Sequence, residues 1–65
     1  MKPYSVIHRD NGADPLETPE VFLCQADDDD HAEEQTANSY PNSDILWIHE
    51  GSSHSAALSN YYDSL

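Results

Sequence analysis

The chain is poor in positive charge. Lys2 and Arg9 are its only Lys or Arg residues, against thirteen Asp and Glu, and the formal net charge is −11. That imbalance argues against direct binding to nucleic acid or to an anionic membrane, because both are polyanions. Cysteine is almost missing as well. Cys24 stands alone, so an internal disulfide is impossible. Within "VFLCQA" it has no activating base beside it and reads as a small apolar side chain, in keeping with a reducing compartment. Only Gly12 and Gly51 are glycines, so no glycine-rich phosphate loop exists. No apolar run approaches the roughly 20 residues that span a bilayer. The polar segment after Met1-Lys2-Pro3 lacks the hydrophobic stretch of a signal peptide. These absences point to a cytoplasmic protein.

What is present suits a single small domain covering residues 1–65. A mean hydropathy of −0.77 and the high net charge would also suit disorder. The pattern argues for folding instead. "PYSVIHR", residues 3–9, is rich in β-branched and aromatic side chains and sets Tyr4, Val6 and His8 against Ser5, Ile7 and Arg9. "EVFLCQA", residues 20–26, is a compact apolar run after Pro19. "DILWIHE", residues 44–50, puts Ile45 and Trp47 on one side and Leu46 and Ile48 on the other, then stops at Gly51. Residues 10–19, "DNGADPLETP", form a loop by composition.

A helix is expected across residues 27–39. Asp30-x-x-Glu33 fits a capping pattern, with acids in the first turn where the dipole is positive, and Pro41 ends it. A second helix is expected in "SSHSAALSNYYDSL", capped by Ser52 or Ser53, with Ala57, Leu58, Tyr61, Tyr62 and Leu65 on one stripe. The predicted fold is α+β: a small three-stranded antiparallel sheet with one or two helices on one face, in the order β-β-α-β-α. Trp47, Ile45, Phe22, Leu23, Val6 and Tyr61 form the expected core.

The chemistry lies in "QADDDDHAEEQ", residues 25–35, where six carboxylates fall between Asp27 and Glu34. Calcium is the first candidate ligand. An EF-hand loop counted from Asp27 would need Gly at the sixth position and Glu at the twelfth, but the residues are Ala32 and Asn38. Zinc fares no better. His8, His31, His49 and His54 form no paired ligand motif, and no second cysteine completes a tetrahedral set; they are expected to be surface or half-buried. Ser52-Ser53-His54-Ser55 places hydroxyls beside an imidazole, but helix capping accounts for those serines. No cofactor, metal or enzymatic activity is expected.

Recognition by charge is the remaining reading. Asp30, Glu33 and Glu34, three and four residues apart, share one exposed helix face, where like charges repel. Four consecutive Asp residues exceed what one cap and a dipole require. Asp10, Asp14, Glu17, Glu20, Asp44 and Glu50 add charge from elsewhere. Such a surface would attract a basic groove that normally holds nucleic acid. A solvated acidic face kept for solubility is the plainer alternative. An acidic regulatory or antitoxin-like module that neutralises a basic protein partner is another.

A small, acidic, cysteine-poor chain carrying "FLCQADDDDHAEEQ…YPNSDILWIHEG" resembles phage-encoded anti-CRISPR proteins, in particular a short inhibitor of type I-C systems. The resemblance covers residues 20–51 best. It implies a non-enzymatic monomeric inhibitor in the bacterial cytoplasm that mimics double-stranded DNA. The implied partner is a CRISPR effector subunit, at the positively charged site where the Cascade complex reads the protospacer-adjacent motif. The acidic positions carried over are Asp27, Asp28, Asp29, Asp30, Glu33 and Glu34 first, then Asp44 and Glu50.

Overall fold

In a computed structural model, which describes residues 1–14 and 16–65, five elements follow in the order β1 (Lys2–Asp10), β2 (Glu20–Ala26), α1 (Asp29–Ser39), β3 (Ser43–Glu50) and α2 (His54–Asp63). The expected loop occupies residues 11–19; its Pro15 lies outside the described residues. Gly12, at φ 87°, takes the left-handed conformation that closes the turn after β1, where the Ala13 N–H donates to the Asp10 carbonyl at 3.0 Å. The three strands form one antiparallel sheet, ordered β2-β1-β3. The fold is α+β, with the predicted element order.

β1 is central, and Tyr4, Ser5, Val6, Ile7 and His8 are all buried. Successive strand residues point to opposite faces, so an unbroken buried run requires cover on both. Tyr4 and Val6 share one face with Phe22, Cys24 and Ala26 of β2, and Ala32 of α1 packs there. α1 presents Ala32 and Thr36, one turn apart, and these small side chains let it approach the sheet closely. Ser5 and Ile7 occupy the other face, where the Asn60 amide of α2 lies 3.1 Å from His49 Nδ1 and Ala57 is buried. The expectation of one or two helices on one face is therefore met by α1 alone, and α2 covers the opposite face.

A bulge in β3 changes the predicted alternation. Ile7 pairs with Trp47 but His8 pairs with Ile45, which leaves Leu46 as the extra residue. Ile45 thereby joins Ile48 against the α1-side core rather than sharing a face with Trp47. Among the expected core residues Val6 is fully buried, and Phe22, Ile45, Trp47 and Tyr61 are half-buried. Leu23 is a correction: it sits on edge strand β2, 51% exposed. His8 is another, at 1% exposed, because Tyr40 stacks on its ring at 4.4 Å. The α2 stripe frays likewise: Ala57 is buried, whereas Tyr62 and Leu65 are exposed. Ser53 caps α2, accepting from the Ala56 N–H at 3.1 Å.

Candidate partner-binding surface

β2 ends at Ala26 and the chain turns into α1 through Asp27 and Asp28. The cap is Asp28, two residues before the Asp30 that the capping pattern indicates. Its backbone is extended, and its Oδ1 accepts from the His31 N–H at 2.8 Å. His31 returns the bond, its Nδ1 accepting from the Asp27 N–H at 3.1 Å. The arrangement is a variant of the capping box: an imidazole stands where Glu or Gln usually does, and it reaches back one residue further, to Asp27 rather than to the cap Asp28. Asp29 and Asp30 then fall in the first helical turn, where their charge meets the positive end of the dipole. One acid caps and two complement the dipole. Glu33 and Glu34 are needed for neither, and both are exposed.

β-sheet register brings Glu50 to the same end. Tyr4 pairs with Glu50 on one side and with Cys24 on the other, and Lys2 pairs with Ala26. Burial pushes the Tyr4 phenol above its ordinary value; Asp29, Glu50 and Asp28 add to the rise, and Lys2 opposes them. Tyr4 was not among the sequence candidates, and it marks where these separate acids converge. Lys2 Nζ lies 3.6 Å from Glu50 Oε1, with both side chains largely exposed, so this pair adds little stability and offsets only one of the corner's negative charges. Asp27, Asp28, Asp29, Asp30, Glu33, Glu34 and Glu50 are all exposed, with Lys2 as the one Lys or Arg among them.

Asp44 does not join them. It pairs with Arg9 at the far end of β1, about 17 Å from the Tyr4 rung at the usual rise per residue. Asp10 and Glu20 lie at that end too, with Glu17, whose carbonyl accepts from Arg9 Nη2 at 3.0 Å. The acids thus form a dense corner at the start of α1 and a sparser group opposite, where Arg9 dilutes the charge. Among the described residues, no group of three or more His, Cys, Asp or Glu side chains is arranged to hold a metal ion. Nor, among the described residues, is any helix long and apolar enough to cross a membrane.

The molecule measures 33 × 25 × 14 Å. Duplex DNA of that length carries about 20 phosphate charges at one per roughly 1.7 Å. The chain sets thirteen carboxylates on a body of the same length, with the densest seven at one corner. It matches no known protein family, no curated protein and no solved structure.

Proposed function

We propose that this protein is a non-enzymatic inhibitor that imitates the charge of double-stranded DNA. It occupies a basic DNA-binding surface of another protein and keeps target DNA out. The supporting observation is the corner around Asp27–Asp30, Glu33, Glu34 and Glu50: seven exposed carboxylates with Lys2 as the only Lys or Arg beside them. Capping and dipole complementation account for three of these acids, and solubility alone does not require the rest to be gathered at one end. A groove lined with Lys and Arg would be drawn to this corner by the same field that draws DNA. By the resemblance of residues 20–51 to anti-CRISPR proteins, the groove is the motif-reading site of a type I Cascade complex in the bacterial cytoplasm, and Asp44 lies at the margin of the contact.

Charge reversal tests the reading. Glu33→Lys and Glu34→Lys together remove two negative charges and add two positive ones at exposed positions that neither cap nor pack. Affinity for purified type I-C Cascade is expected to fall at least tenfold, about 1.4 kcal/mol or more, with the fold unchanged by circular dichroism. Unchanged affinity would move the contact away from α1.

A further inference from the structure

The geometry points to a second interaction surface: the free edge of β2, which accepts an extended, basic-flanked segment of a partner protein as a fourth strand. The backbone direction follows from one bond. The Pro3 carbonyl accepts from the Gly51 N–H at 2.8 Å, so Pro3 faces β3, and its β2 partner Gln25 is in a non-hydrogen-bonded pair. Gln25, Leu23 and Val21 therefore aim their N–H and C=O groups outward. Among the described residues, only the Gln25 carbonyl is met, by the Gln35 amide of α1 at 2.7 Å. The Val21 and Leu23 rungs stay open, and Leu23 itself is 51% exposed.

Natural edges are blunted by charge, proline or a bulge. β3 has all but the proline, with Asp44, Glu50 and the Leu46 bulge. β2 has none of these between Val21 and Ala26, in a chain of net charge −11. Beside this edge lies an open groove of about 590 Å³, lined by Met1, Pro3, Leu23, Cys24, Gln25 and Ser52, that would receive side chains of an added strand. The chemistry of the occupant follows from the ends of the strand. Glu20 stands at one end and Asp27–Asp30 at the other, so an apolar extended segment with Lys or Arg on both flanks is complementary. A second copy is not. Antiparallel self-pairing centred on Leu23 would set Glu20 of each copy beside Asp27 of the other.

Amide exchange on the intact protein tests this without any DNA-binding target, so its outcome is separate from that of the charge-mimicry proposal. The probe is a short peptide of alternating valine and threonine with a lysine pair at each end. It is expected to slow exchange of the Val21 and Leu23 amides at least tenfold while leaving Phe22 and Cys24, already bonded to β1, unchanged. The same peptide flanked by glutamate pairs should bind about tenfold more weakly. Leu23→Pro removes one outward N–H, spares the β1 ladder and should abolish the protection. If that variant fails to fold, the measurement on the native chain decides alone. Unprotected Val21 and Leu23 amides under excess lysine-flanked peptide would overturn the inference. So would equal binding by the glutamate-flanked peptide, or protection that appears without peptide and grows with protein concentration.

Discussion

Asp28, Asp30 and Glu34 carry the same charge within seven positions and have three different situations. Asp28 bonds a backbone N–H, Asp30 meets a helix dipole, and Glu34 is exposed beside its neighbours' charge. Nearby, the half-buried Cys24 thiol and the buried Tyr4 phenol are shifted by the fold. Partial burial raises the Cys24 thiol above its ordinary value of 9.0, and burial with Asp29 and Glu50 raises the Tyr4 phenol above its ordinary 10.0. Both groups keep their protons in the folded chain at pH values where the unfolded chain has released them. Stability is therefore complete below about pH 9 and declines as pH rises through the Cys24 range and then the Tyr4 range. A series of denaturant midpoints from pH 8 upward is expected to fall in that order, and Cys24→Ser should remove the earlier part of the decline. Alkylation of Cys24 should likewise be slower than that of a free thiol at the same pH, since less thiolate is present.

At the scale of the element, α1 depends on its entrance. Asp28→Ala removes the cap and should cost about 1 kcal/mol in chemical denaturation. Asp30→Ala should cost less than half of that, since it loses only a dipole contact and relieves repulsion with Glu33 and Glu34. The reverse ranking would put the cap where the Asp-x-x-Glu pattern suggests it. That pattern was ambiguous because four consecutive Asp residues offer four caps, and the choice is made by where β2 ends and by His31 reaching back to Asp27. The three strands and α2 are legible in the sequence from their apolar patterns, and α1 from its acidic, cap-rich start and the Pro41 that ends it. The Leu46 bulge is not, since "DILWIHE" alternates equally well with or without an extra residue, and only pairing against β1 moves Ile45 to the other face. The burial of His8 is equally hidden, since the sequence gives no sign that Tyr40 would lie across its ring. Of the candidate surface, the contiguous acids were visible as a run. The addition of Glu50 and the separation of Asp44 depend on register, which composition cannot give.

The whole molecule is a thin slab, 33 Å long and 14 Å thick, with net charge −11. At about 0.01 M salt the Debye length is roughly 30 Å, so charges along the full length of the slab repel one another; at about 1 M it is roughly 3 Å. The melting temperature should therefore rise by several degrees across that range, and a flat response would mean that the carboxylates are already too dispersed to oppose folding. The same field is what a basic groove would sense. If the chain imitates DNA as proposed, it and duplex DNA compete for one surface, and displacement of a labelled target duplex from purified type I-C Cascade by this protein measures that directly. Full displacement is expected, with an apparent affinity for the duplex that weakens in proportion to added protein. A ternary complex holding both the protein and the duplex at saturation would contradict it.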